Sequence, residues 1–107
     1  DFTYIDNVVY ANLLSITTLN KEALNQVFNI AAGGRNTLLD LVNYLKIYLS
    51  EFNYNTKNIK IKHQEFRIGD ITHSYANIDK AKKLLNYYPK YTFQEGLKKA
   101  IKWYKEN

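Results

Sequence analysis

The ten residues Phe66-Arg67-Ile68-Gly69-Asp70-Ile71-Thr72-His73-Ser74-Tyr75 hold the side chains best suited to chemistry in this chain. Arg67 is one of only two arginines among 15 basic residues, the rest being lysines. Arginine presents a rigid fork of donors that matches the oxygens of a phosphate, whereas lysine offers a mobile point charge. Asp70 is spaced to orient that fork or to accept a hydrogen bond from a sugar hydroxyl. An Arg67 to Asp70 ion pair that only pins the loop fits the spacing equally well. The second candidate is Gly33-Gly34-Arg35, between an apolar run and a helix start. N–H groups at a helix N-terminus attract anions, so paired glycines there look like half of a phosphate cradle. A tight turn with positive φ accounts for Gly33 better, while Gly34 divides evenly between turn and ligand contact.

The two histidines offer less. His63 and His73 have no metal-ligating partner at i+3 or i+4, which argues against a metal site. His63 alternates with lysines and reads as an exposed strand residue. His73 falls in irregular backbone, where ligand-facing residues concentrate, and a general acid or base role stays open for it. No nucleophile or carboxylate stands at a suitable spacing to complete a catalytic set, so no catalytic residue is assigned. The chain also lacks G-x-G-x-x-G, the P-loop, G-x-S-x-G and H-E-x-x-H. Zero cysteines exclude a disulfide framework, thiol catalysis and Cys-ligated zinc.

These residues must be held by a small set of elements. Asp1 to Ile5 alternates and predicts a short strand. Asp6 to about Thr18 predicts a helix whose apolar face is Val9, Leu13 and Ile16, flanked by Val8 and Leu14. Gln26 to Ala31 is β-rich and closed by glycines, which predicts a buried strand. Asn36 or Thr37 caps a second helix with Leu38, Leu41, Val42, Leu45, Tyr48 and Leu49 at i, i+3, i+4, i+7 spacing. Ile59 to His63 alternates and predicts a third strand. Asn77 caps a short helix that ends before Pro89, and Thr92-Phe93-Gln94-Glu95 is the capping box of a last helix. The expected architecture is therefore α/β, or α+β in isolation, with about four helices and about three short strands.

A length of 107 residues predicts one domain, residues 1–107, and 46% apolar with 15% aromatic residues suffices for a core. No apolar run reaches the roughly 20 residues of a membrane helix, and the start lacks the features of a signal peptide, so a soluble cytoplasmic protein is expected. The absence of methionine predicts a piece cut from a longer polypeptide. The net charge of +5 comes from dispersed lysines. The densest group, Lys98, Lys99, Lys102 and Lys105, suits a solvated helix face near the negative end of the dipole better than a nucleic-acid patch.

Taken in order, Asp1-Phe2-Thr3-Tyr4-Ile5-Asp6-Asn7-Val8-Val9 with Ala11-Asn12, then Phe28-Asn29-Ile30-Ala31-Ala32-Gly33-Gly34-Arg35-Asn36-Thr37-Leu38, then Arg67-Ile68-Gly69-Asp70-Ile71-Thr72-His73-Ser74 and Lys80-Ala81 resemble successive signatures of one family. This is the carboxyl-terminal part of the NAD-dependent sugar-nucleotide epimerases and dehydratases, the extended short-chain dehydrogenases/reductases. Within it the closest resemblance is to bacterial UDP-N-acetylglucosamine 4-epimerases. It implies a substrate-binding domain normally packed beside an NAD-binding Rossmann domain that this chain does not contain. By the same resemblance Arg67 contacts the diphosphate and Asp70 holds the ribose or that arginine. Phe2 would line the nucleotide pocket, and Gly34 would let backbone approach the nucleoside. Ser74 falls at the position that is small in enzymes accepting N-acetylated sugars.

The family implies hydride exchange between the C4 position of the sugar and NAD, with the cofactor and the catalytic Tyr and Lys in the Rossmann domain. The fragment alone would then not catalyse and would bind a UDP-sugar only weakly, because half of the pocket lies in the other domain. It would need no metal, membrane or nucleic-acid partner, and would be a monomer where the intact enzyme is a homodimer. A nucleotide-sugar dehydratase or decarboxylase domain is the alternative within the superfamily. A stand-alone basic module for nucleic acid or an acidic partner is the alternative outside it.

Overall fold

The computed structural model describes residues 1–65, 68–69 and 73–107. Among these residues four α-helices run in order: α1 (Ile5–Thr17), α2 (Leu38–Ser50), α3 (Asp79–Leu85) and α4 (Phe93–Glu106). Two short 3₁₀ turns, Lys21–Ala23 and Tyr54–Asn58, follow α1 and α2. No helix among the described residues is long and apolar enough to cross a membrane.

The helix ends follow the local chemistry of the sequence. Thr37 caps α2 by accepting from the Asp40 N–H at 3.0 Å, and the Asp40 carboxylate accepts from the Thr37 N–H at 2.7 Å. Thr92 and Glu95 form the same reciprocal box on α4, at 3.3 and 2.8 Å. Hydrogen bonds from the backbone and hydroxyl of the cap residue hold the Asp40 and Glu95 carboxyls below their ordinary range. The α3 start is fixed by Asn77, whose side chain accepts from Asp79 N–H at 2.7 Å. Its end is set by Asn86 in the left-handed region at φ 55°, a conformation asparagine tolerates.

The three expected strands are not formed: the described residues contain helices, turns and irregular backbone but no sheet. An alternating or β-rich run specifies extended backbone, whereas a strand also requires a neighbour to complete its hydrogen bonds. Asp1 bonds to two loops and the Tyr4 carbonyl accepts from the Asn7 N–H of α1, Gln26 to Ala31 lies against the core through Ala31, and Ile59 to His63 is exposed along its length. The α/β expectation is thus corrected to an all-helical arrangement among the described residues.

The core is built largely from small residues. Ala11, Ala23, Ala31, Ile78, Ala81, Leu85 and Tyr87 are buried together, with Tyr10, Leu14, Phe28 and Ile30 packed around them. Alanines at these contacts let α1, the first 3₁₀ turn, the 26–37 segment and α3 approach closely. The expected core face of α1 is corrected too. Val9, Leu13 and Ile16 point outward, and the opposite face, with Asn7 and Ala11, is the buried one.

A second region joins α2 to α4 through aromatic contacts. The Tyr44 ring meets Phe93 edge-on at 5.9 Å, and the Tyr44 hydroxyl accepts from the Gln94 amide. Lys98 and Lys105 lie over the rings of Tyr48 and Phe52 at 4.7 and 3.8 Å, so part of the lysine-rich face covers aromatic surface on and just beyond α2.

Gly96 is where α4 meets the amino-terminal segment. A Cβ there would stand 2.5 Å from Tyr4 Cβ and 2.9 Å from Tyr4 Cγ. In an open helix interior Gly→Ala gains about 1 kcal/mol of propensity. Here overpacking costs roughly 1–3 kcal/mol, so Gly96→Ala should destabilise the protein on balance. A lowered Tm is expected, and an unchanged or raised Tm would show that α4 and Tyr4 are not in contact.

Candidate functional site

The amino-terminal residues, the glycine turn and the segment after residue 72 converge at one junction. The Asp1 carboxylate accepts from the Ala32 N–H at 3.2 Å and the Gly33 N–H at 2.9 Å. The Asp1 nitrogen donates to the Ser74 carbonyl at 2.6 Å. Arg35 stacks its guanidinium over the Tyr75 ring at 4.8 Å, joining the last two segments a second time. Each of these three segments carries a residue assigned to the site from sequence: Phe2, Gly34 and Ser74.

The turn itself is set by Gly33. Its φ is +76°, which disfavours any residue with a Cβ, and a Cβ there would also reach Ile78 Cδ1 at 3.3 Å. The amides of Ala32 and Gly33 are occupied by the Asp1 carboxylate, so this part of the turn is organised around an internal anion. The N-terminus of α2 is capped by its own Thr37 and Asp40. Both observations favour the tight-turn reading of Gly33 over a phosphate cradle. Gly34 differs: the nearest atom to a Cβ there is Asn36 Nδ2 at 3.5 Å, an ordinary contact.

Phe2 stacks on Phe93, the first residue of α4, with ring centroids 5.0 Å apart and planes 23° from parallel. One ring face is thereby committed to the fold, and the side chain as a whole is half-buried. Ser74 and His73 are exposed, as is His63. Arg67 and Asp70 lie outside the described residues, so their positions relative to this junction are not part of the structure. Two clefts lie elsewhere among the described residues. One of about 300 Å³ runs between α2 and α4 beside Tyr48, Phe52 and Lys102, and one of about 220 Å³ lies between α2 and Ile59 to Ile61.

Two contributors escaped the sequence reading. Asp1 was legible only as the partner of Phe2, although a carboxylate facing a glycine turn is a common way to satisfy turn amides. Arg35 suggested anion binding after paired glycines, whereas the structure uses it over an aromatic ring.

Fold and junction together define a small helical domain in which the amino-terminal residues tie two loops to the base of α4. Its sequence is similar along its entire length to part of the UDP-glucuronate 4-epimerase of Thermodesulfobacterium geofontis, with 33% identity over 109 residues covering 30% of that protein. UDP-glucuronate 4-epimerase 4 of Arabidopsis thaliana is 34% identical over 114 residues, which cover 97% of this chain and 25% of the relative. Protein CapI of Staphylococcus aureus is 26% identical over 121 residues, covering 99% of this chain and 34% of the relative. The chain therefore spans about a third or less of the curated relatives it matches. No protein-family model matches it. Along its length the chain is similar to one part of proteins named UDP-glucuronate 4-epimerase.

Proposed function

We propose that this chain is the carboxyl-terminal, substrate-binding part of a UDP-sugar 4-epimerase. The observation that carries the reading is the similarity to UDP-glucuronate 4-epimerases across the whole chain. The convergence of Asp1-Phe2, Gly33-Gly34 and Ser74-Tyr75 supports it, because three segments distant in sequence meet at one surface. Arg67 follows as the grip on the diphosphate and Asp70 as its orienting partner or ribose acceptor. Phe2 and Gly34 flank the nucleoside, and Ser74 faces the sugar. Holding the UDP end firmly while the sugar turns would let remote binding energy keep the reactive carbon in place.

The residues present do not fit NAD. The chain has no glycine-rich dinucleotide turn, and the amides of the Gly33 turn are taken by Asp1. The cofactor, which supplies hydride transfer when bound, belongs on this reading to a Rossmann domain in the rest of a cytoplasmic, homodimeric enzyme.

Replacing Arg67 by Ala in the intact enzyme should raise KM for the UDP-sugar by roughly tenfold to a hundredfold, the size expected for losing a charge-assisted bidentate contact. The NAD content should not change. Unaltered KM would remove Arg67 from the site.

Two sugars remain in view. The names of the relatives favour UDP-glucuronate. Ser74 favours an N-acetylated sugar such as UDP-N-acetylglucosamine, because a small residue leaves room for the acetamido group. A Ser74→Tyr enzyme should lose N-acetylated substrates selectively if the second reading holds.

A further inference from the structure

Phe2, Gly34 and Ser74 stand on three separate segments, and one residue touches all three. Asp1 adjoins Phe2 in the chain. Its two carboxylate oxygens accept from the Ala32 and Gly33 N–H groups, at 3.2 and 2.9 Å, in the turn that leads into Gly34. Its main-chain nitrogen donates to the Ser74 carbonyl at 2.6 Å. Successive N–H groups on a turn form a concavity that takes an anion, and here the anion is a side chain 31 residues away in sequence.

Two observations separate this clamp from the packing of the core. The end of the 26–31 run is anchored without it, because Ala31 is buried and its carbonyl accepts from the Tyr87 hydroxyl at 2.9 Å. The Asp1 bonds act beyond that anchor, at the exposed Gly33. The second observation concerns Ser74, whose bond comes from the main chain and survives any change of side chain at position 1. The Arg35 guanidinium over the Tyr75 ring holds the same segment from its other end. Removing the carboxylate therefore releases the Ala32-Gly33 turn and leaves Ser74 in place.

We propose that Asp1 is a positioning residue for the UDP end of the substrate, acting through the backbone of the turn that presents Gly34 to the nucleoside. This rests on the reading of the chain as the substrate-binding part of a UDP-sugar epimerase. The carboxylate sets affinity for the moiety common to all UDP-sugars, whereas the choice between sugars is set at Ser74. Loss of the carboxylate thus removes uniform binding, which raises KM and not the barrier of the chemical step.

The test uses the protein expressed from its complete reading frame, with UDP as the probe. Asp1→Asn leaves one oxygen for two donors and turns an amide NH2 toward the turn. Its dissociation constant for UDP, by calorimetric titration, should rise roughly tenfold to a hundredfold, the size of effect expected when a contact is misplaced by about an ångström. KM for each UDP-sugar that the parent turns over should rise by that same factor. Leu85→Ala, which opens a cavity in the core away from the junction, should lower Tm at least as far as Asp1→Asn while leaving UDP affinity as it was. Unaltered UDP affinity in Asp1→Asn would overturn the proposal, as would a loss confined to one sugar or an equal loss of affinity in Leu85→Ala.

A second measurement needs no substitution. If the clamp strengthens UDP binding, linkage requires that UDP strengthen the clamp by the same factor. Exchange of the Ala32 and Gly33 amide hydrogens should therefore slow roughly tenfold or more when UDP saturates the parent protein, and equal exchange with and without UDP would overturn the positioning role. Epimerisation is assayed on the same sample. Asp1-dependent UDP affinity without epimerisation would keep the positioning role and reject the epimerase reading, whereas epimerisation with Asp1-independent affinity would do the reverse. A parent protein that neither binds UDP nor epimerises would reject both.

Discussion

Tyr87→Ala should lower the unfolding free energy by about 3–5 kcal/mol, the range for truncating a large core aromatic. Tyr87 is wholly buried, the largest such side chain, and its hydroxyl donates to the Ala31 carbonyl at 2.9 Å. The ring lies beside Tyr10, and the left-handed Asn86 delivers it into the core immediately after α3. Tyr87→Phe keeps the ring but leaves the Ala31 carbonyl without its donor, a loss of roughly 1–3 kcal/mol. Both values are measurable by urea unfolding.

The same residue gives a pH dependence of definite sign. Burial raises the Tyr87 hydroxyl above its ordinary value, so the folded state retains the proton more strongly than the unfolded chain. Its contribution is complete below the unfolded tyrosine value of about 10 and declines as pH rises through the higher folded value. The alkaline loss of stability should therefore be shallower in Tyr87→Phe than in the unsubstituted protein. Parallel curves would mean that the hydroxyl is already solvated.

Asn7→Leu is the second large effect, expected at about 2–4 kcal/mol because several buried polar groups lose their partners together. Asn7 is fully buried in the first turn of α1. Its amide nitrogen donates to the Tyr91 carbonyl at 2.8 Å, and its oxygen accepts from the N–H groups of Lys90 and Tyr91 at 2.9 and 3.1 Å. One side chain thus fixes the α3 to α4 connection against α1. Asn7→Asp should also destabilise, since a carboxylate keeps the acceptor but turns an oxygen toward the Tyr91 carbonyl. A Leu variant as stable as the parent would show that water replaces all three bonds.

Helix positions were legible in the sequence because their signals are local. The capping boxes at Thr37 and Thr92, the Asn77 cap and the stop before Pro89 depend on residues within one turn of each other. The strands and the core face of α1 were misread because both depend on what lies opposite. Nothing near Gln26 to Ala31 in sequence reveals whether another backbone will pair with it. Val9, Leu13 and Ile16 outweigh Asn7 and Ala11 in hydrophobicity, yet small residues allow closer approach, and Asn7 finds three hydrogen bonds. The important buried residues, Asn7 and Tyr87, are polar or amphipathic types that hydrophobic patterning passes over.

For the candidate site, the sequence singled out segments rather than the atoms that join them. Phe2, Gly34 and Ser74 lie on three segments that meet, but Asp1 makes the connection between them. Gly33 could be read as a positive-φ turn from its context, since a glycine pair between an apolar run and a helix cap has few other backbone solutions.

The proposed function is tested most directly by supplying the intact protein, loaded with NAD, with UDP-glucuronate, UDP-N-acetylglucosamine and UDP-glucose in turn and resolving the products by chromatography. At least one of these should be interconverted with its C4 epimer, and Arg67→Ala should require a much higher concentration of that substrate. A folded, NAD-loaded protein that leaves all three unchanged would contradict the assignment.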